Sequence, residues 1–177
     1  MDNLKIVFIG PVGAGKTSAI QAVSEITPID TEAKVSDGEV ITKETTTVAI
    51  DYGRVTTAAG QKVHLYGAPG QIRFEFMWDM LKQDIANDCS GVVVMIDNTA
   101  DTPKADLLYY LEAFKSLVSS AKLLVLTTQT DLSPSPAPQE YEAVLTAAGV
   151  SGTVIAADAR DTAQIKQCLA TLVGPLV

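Results

Sequence analysis

The sequence is poor in the side chains that build metal centres and disulfide frameworks. Among 177 residues there are two cysteines, one histidine and one tryptophan. Cys89 and Cys168 stand far apart with no C-x-x-C spacing, and His64 has no second imidazole to join it, so a Cys/His zinc cluster is excluded. Two unpaired thiols suit a reducing compartment, and a cytoplasmic location is expected. Cations are scarce as well. Thirteen Lys and Arg against 21 Asp and Glu give a formal charge of −8, a field that repels nucleic acid and anionic membrane surfaces. No apolar run approaches the roughly 18 residues a spanning helix requires, and Met1-Asp2-Asn3 lacks the basic and apolar pattern of a signal peptide. Asp2 stands where myristoylation needs glycine, and Gly174-Pro175-Leu176-Val177 carries no prenylatable cysteine. Membrane recruitment would therefore need a partner.

What is present is an ordinary globular composition, 47% hydrophobic and 19% charged, in a length that suits one domain over residues 1–177. Leu4–Ile9 is a short branched run ending at Gly10 and followed by helical character over Thr17–Ile26, which reads as strand, turn, helix. Val48–Asp51 and Lys62–Tyr66 read as antiparallel neighbours joined by the small polar stretch Thr56–Gln61. Gly91–Ile96 and Lys122–Thr127 are near-continuous apolar runs, as for central parallel strands covered on both faces. Helical segments are expected at Ala105–Ser119 and Gln139–Ala148. A last strand at Thr153–Ala157 precedes a helix whose inner face is Ile165, Cys168, Leu169 and Leu172. The alternation predicts an α/β, three-layer fold with six mostly parallel strands and about five helices. Ser133–Pro138 reads as a rigid surface loop, and the long polar stretch Thr27–Thr45 as a functional or disordered one.

Gly10-Pro11-Val12-Gly13-Ala14-Gly15-Lys16-Thr17 fits G-x-x-x-x-G-K-[ST] between an apolar strand and a helix, the context of a phosphate-binding P-loop. Backbone N–H groups of Gly13, Ala14, Gly15 and the helix start through Ser18 can hold phosphates. Lys16 can reach the β and γ oxygens, and the Thr17 hydroxyl can bind Mg2+. The small residues let the backbone itself approach the anion.

Four further segments follow in the order of a Ras-like GTPase, and the match covers essentially the whole chain. The sequence resembles the bacterial small GTPases related to Ras, Rho and Arf proteins, particularly the conservon G proteins and, more distantly, the gliding-polarity GTPase of myxobacteria. The resemblance implies a GTP/GDP-binding switch with slow hydrolysis. Thr45–Gly53 and Gly67–Phe74 then look like its two switches. Thr47 is the candidate Mg2+ ligand and γ-phosphate sensor, with Thr46 as runner-up and plain β-propensity as the alternative for this Thr-rich stretch. Lys43 could approach the γ-phosphate or be a solvated loop lysine. Gly70 would offer an N–H to the γ-phosphate, and Gln71 would orient the attacking water. Gly67 occupies the place of the Asp that steadies a Mg2+-bound water in many relatives, leaving Asp51 or Glu44 as stand-ins. Val12 replaces a glycine beside the γ-phosphate and should crowd that water, which predicts slow intrinsic turnover. No arginine adjoins Thr47 to act as a finger in cis.

Thr128-Gln129-Thr130-Asp131 resembles N-K-x-D in its Thr-Gln-x-Asp form. A carboxylate at Asp131 can accept from guanine N1–H and the exocyclic amine, groups adenine does not offer there. The Gln129 stem would lie on the purine face. Asp158-Ala159-Arg160 resembles the S-A-K loop, with the Ala159 N–H aimed at guanine O6, although Asp158 could instead cap the last helix. Phe74, Met77, Trp78 and Leu81 share a helical face expected in the core, whereas Phe76 and Met80 form an i, i+4 pair suited to a partner. By resemblance that partner is a roadblock-type regulator or an effector. Two other readings stay open: a nucleotide-dependent binding module with little or no hydrolysis, and a small P-loop kinase, the latter disfavoured by the absence of an arginine-rich lid.

Overall fold

The computed structural model describes residues 3–27, 51–70, 78–79, 82–83 and 88–177. Six strands form one sheet: β1 (Leu4–Ile9), β2 (Asp51–Thr56), β3 (Lys62–Gly67), β4 (Gly91–Asp97), β5 (Lys122–Thr128) and β6 (Thr153–Ala156). Five helices can be bounded among the described residues: α1 (Lys16–Val23), α2 (Pro103–Ala113), α3 (Lys115–Ser120), α4 (Pro138–Ala147) and α5 (Thr162–Val173). The strand order is β2-β3-β1-β4-β5-β6. Every pairing is parallel except β2 with β3, which run antiparallel in the register Asp51 opposite Gly67 through Thr56 opposite Lys62. This is the expected α/β sandwich, the architecture of a P-loop NTPase domain.

Successive strand residues point to opposite faces, and here both faces are covered. Ile6, Phe8, Val93, Met95, Leu124 and Leu126 meet Ile20 of α1 and Ile165, Cys168, Leu169 and Leu172 of α5. Val7, Ile9, Val92, Val94, Ile96 and Val125 meet Leu107 and Leu111 of α2, Leu117 of α3, Tyr141 of α4 and Trp78. The helical face predicted for the last helix is thus the buried one. At roughly 2 kcal/mol for each fully buried large aliphatic side chain, these two layers supply the main driving force.

Three expectations shift. The strand read as ending at Asp51 continues to Thr56, its described part being Asp51–Thr56, and residues 48–50 lie outside the described residues. Gly53 disguises this strand, since an isolated glycine weakens a strand pattern. Its lack of a side chain is required by close packing, because a Cβ there would stand 2.7 Å from Ile20 Cγ2. The helix read as Ala105–Ser119 is two, α2 and α3, parted at Phe114 with φ −112° and ψ 29°. Phe114 is fully buried, its ring 5.0 Å from that of Trp78, so packing of one phenyl group overrides helical continuity. The first helix stops at Val23 rather than Ile26, as Ser24 turns extended and its Oγ accepts from the Arg54 N–H of β2. The predicted hairpin loop is found where expected, closed by Thr57 N–H to Gln61 O and Gln61 N–H to Thr57 Oγ1.

The Ser133–Pro138 segment is a loop pinned to the sheet rather than a linker. Asn98, buried at the end of β4, donates through Nδ2 to Ser133 O (2.6 Å) and Pro136 O (3.2 Å) and accepts from the Tyr141 hydroxyl. Burial, with the charges of Glu140, Asp106 and Asp97 nearby, pushes the Tyr141 phenol up to about 12. Among the described residues no helix is long and apolar enough to cross a membrane.

Candidate functional site

The segments that follow β1, β5 and β6 at their carboxyl ends line one cavity of about 640 Å³, within the range of small-molecule sites. One end of it is the turn between β1 and α1. Gly10, Gly13 and Gly15 have φ of 145°, 82° and 103°, in the region that favours glycine. At Gly10 the backbone also lies so near β4 that a Cβ would stand 2.2 Å from Met95 O. The sharp turn starts α1 at Lys16 with no side-chain cap, so the first-turn N–H groups of Lys16, Thr17 and Ser18 have no intrahelical acceptors, and Ser18 lines the cavity. That is a socket for an anion.

Lys16 is buried, and Nζ donates to Gly10 O (2.6 Å) and Pro11 O (2.8 Å). Burial pulls its pKa down to about 8, with the Asp51 carboxylate acting in the opposite direction. The Thr17 hydroxyl donates to Asp51 Oδ2 at 2.5 Å. Asp51, the first described residue of β2, stands directly opposite Gly67, and its Oδ2 lies 3.3 Å from where a Gly67 Cβ would be. A side chain missing from one strand leaves room that the neighbouring strand's carboxylate fills. Gly70 approaches the same loop: a Cβ on it would lie 2.7 Å from Val12 N and 2.8 Å from Lys16 Nζ. Its approach is fixed by Tyr110 Oη donating to Gly70 O and Trp78 Nε1 donating to Pro69 O. Val12 is 64% exposed on the loop's outer side.

The other end of the cavity comes from the loops after β5 and β6. Gly13, Ala14, Gly15 and Ser18 share its lining with Thr128, Gln129, Asp131, Ala159 and Arg160, so the structure brings three separated sequence motifs together. Two contacts lock them. Thr128, 3% exposed, donates its hydroxyl to Ala14 O at 2.9 Å, which makes it a tie between loops. A Cβ on Gly15 would lie 2.9 Å from Ala159 Cβ, so the loop after β6 rests on the phosphate turn. Asp131 is exposed and caps none of the described helices, and Asp161, not Asp158, caps α5 by accepting from Gln164 N–H. Asp158 instead holds Arg160 through Nε, Nη2 and the backbone N–H.

Five wall residues escaped the sequence reading, among them Ala156 and Ala157 at the end of β6. Leu132, 71% exposed, follows Asp131, and Gln164 accepts from Asp158 N–H at 2.9 Å; its spacing from Asp161 is the available signal. Thr130 completes the turn. Thr46, Thr47, Lys43, Glu44, Gln71, Phe74, Phe76, Met77, Met80 and Leu81 lie outside the described residues. Among those described, no three His, Cys, Asp or Glu side chains gather as a metal cluster. An uncharacterized protein of Methanocaldococcus jannaschii is 38% identical over 79 residues, 45% of this chain and 44% of the relative, so the alignment spans less than half of either. Residues 8–172 match a family described as "conserved hypothetical ATP binding protein", which contains the β1–α1 turn and both loops of the cavity, and the chain belongs to this family of nucleotide-binding proteins.

Proposed function

We propose that this chain is a guanine-nucleotide-binding switch of the Ras-like type, a single domain over residues 1–177 that hydrolyses GTP slowly. The observation that carries the reading is the shared cavity. The β1–α1 turn and the start of α1 stand at one end, and the exposed Asp131 and the buried Ala159 line the other, where the Ala159 N–H would meet the base. A carboxylate beside a backbone donor complements the N1–H, exocyclic amine and O6 of guanine. Adenine would set its own amine against that donor.

The residues present suit Mg2+: the Thr17 hydroxyl and the Asp51 carboxylate are already adjacent, which supports Asp51 as the stand-in for the absent Asp at Gly67. A bound Mg2+ would neutralise phosphate oxygen charge there. Thr47 would complete the metal site. Lys16 supplies positive charge to the β and γ oxygens, Gly70 an N–H, and Gln71 orientation of water. Val12, exposed beside Gly70, keeps the unassisted rate below the ~10⁻² s⁻¹ of G proteins with an arginine in cis. Phe76 and Met80 are the proposed contact for a roadblock-type regulator or an effector. The location is cytoplasmic, with any membrane recruitment through a partner.

Two alternatives have specific support. The family description names ATP, and Val12 with Gly67 favours a binding module that barely hydrolyses. Nucleotide extracted from purified protein and identified by chromatography decides the first: guanine nucleotide is expected, and adenine nucleotide overturns the reading. Single-turnover GTP hydrolysis, with and without a roadblock protein, decides the second. Asp51→Ala is expected to flatten the Mg2+ dependence of nucleotide affinity. An unchanged dependence returns the role to Glu44 or to neither.

A further inference from the structure

Gln129 is held in an unusual way. Its backbone has φ 57°, a left-handed conformation uncommon for a long side chain, and its carbonyl accepts from Leu132 N–H and Ser133 N–H, both at 3.1 Å. Its side chain lines the cavity, yet Nε2 donates to Asp97 Oδ2 at 2.9 Å. Asp97 closes β4 and is itself fixed: Oδ1 accepts from Thr99 N–H (2.8 Å) and Thr99 Oγ1 (2.6 Å). The next residue, Asn98, grips the backbone of the same segment at Ser133 and Pro136. Two consecutive side chains at the tip of a central strand thus clamp the turn 129–136, Asp97 holding the Gln129 side chain and Asn98 the main-chain carbonyls of Ser133 and Pro136.

We propose that Asp97 is a positioning residue for the nucleobase end of the cavity, acting through Gln129; this rests on the reading of 129–131 as the base-contacting turn. An ionised carboxylate only accepts hydrogen bonds, so the amide nitrogen of Gln129 must face Asp97 and the amide orientation is decided before any ligand arrives. A free glutamine has much rotamer freedom to lose on binding. Tethered to a fixed carboxylate, its stem is already placed along the cavity wall, and the ordering cost is met in folding. Where relatives of the N-K-x-D type use a lysine, this chain uses a neutral amide that needs an external anchor, and Asp97 supplies it.

The test is calorimetric binding of GDP and, separately, of inorganic triphosphate to the full chain and to Asp97→Ala, Gln129→Ala, the double variant and Asp131→Ala. Asp97→Ala is expected to weaken GDP about 3- to 10-fold while leaving triphosphate binding unchanged, which also shows that the phosphate turn is intact. The double variant should be no weaker than Gln129→Ala, since removing the anchor of an absent side chain changes nothing. Additive losses, or an equal loss for triphosphate, overturn the proposal. If Asp131→Ala weakens GDP and Asp97→Ala does not, only the Asp97 role falls. If Asp131→Ala and Gln129→Ala both bind GDP as the parent does, the reading of the base end falls with it.

Discussion

At the phosphate end of the cavity three glycines with φ between 82° and 145° present backbone donors, and Lys16 is buried among carbonyls. At the base end the wall is made of side chains, Gln129, Asp131, Leu132 and Arg160, all exposed. The first region is written into the course of the main chain between β1 and α1, so it is as rigid as the sheet. The second hangs on turns, and its chemistry can be changed one side chain at a time. Under the proposed reading, affinity for a polyphosphate would be a property of the fold, and choice of base a property of a few residues.

That contrast can be broken most forcefully at Gly10. Gly10→Ala pushes a Cβ to 2.2 Å from Met95 O at φ 145° and is expected to destabilise the chain by roughly 3 kcal/mol or more, read as a fall in the urea midpoint. Gly13→Ala meets nothing within 4 Å and should cost only about 1–2 kcal/mol of backbone strain; equal losses would mean that the turn is not held by β4. Next in size, Lys16→Ala should weaken GDP about 100-fold, about 2.7 kcal/mol, and weaken inorganic triphosphate equally, because this lysine serves the phosphate end alone.

The acid–base behaviour of Lys16 sharpens the comparison further. Its pKa in the free protein is about 8, and bound phosphates raise it by favouring the ammonium form. Above pH 8 binding must therefore take up a proton, and affinity should fall by up to about tenfold per pH unit, whereas below pH 8 Lys16 contributes no slope. The same lysine makes folding stability of the free chain rise between about pH 8 and its ordinary value of 10.5, because the unfolded chain holds the proton more tightly there. Titration calorimetry in buffers of different ionisation enthalpy reads the proton uptake, and Lys16→Ala should abolish it. The smallest effect is expected for Thr128→Val, which keeps the shape but leaves Ala14 O unpaired: about 1–2 kcal/mol of stability, seen in thermal melting, with a comparable loss for GDP.

The sequence made the phosphate end legible because glycines at fixed offsets before Lys16 have one geometric purpose, and β1 was readable to the residue. The central strands were legible from unbroken apolar runs, and α5 from its i, i+3, i+4 face. The base end was legible as a motif but not as a mechanism. Thr128 lines the cavity as a candidate base contact would, and its hydroxyl also ties the turn to Ala14. Asp158 looked like a helix cap and holds Arg160. Asp97 gave no signal, because the final residue of an apolar strand acquires its partner only when β4 and β5 are set side by side. The continuation of β2 past Asp51 to Thr56 gave little signal for a related reason: Gly53 weakens a strand pattern until Ile20 is known to pack against it.

The pairing of Asp51 with Gly67 has one more consequence. Because that carboxylate is delivered by a ladder position, its place beside Thr17 is set by how β2 is threaded against β3. Sliding the hairpin by one residue would turn Asp51 to the opposite face of the sheet, and sliding it by two would carry the carboxylate about 7 Å along the strand. The hydroxyl of α1 and the alignment of an edge strand thus report on one another, and the strand register would decide whether the proposed metal ion has its carboxylate.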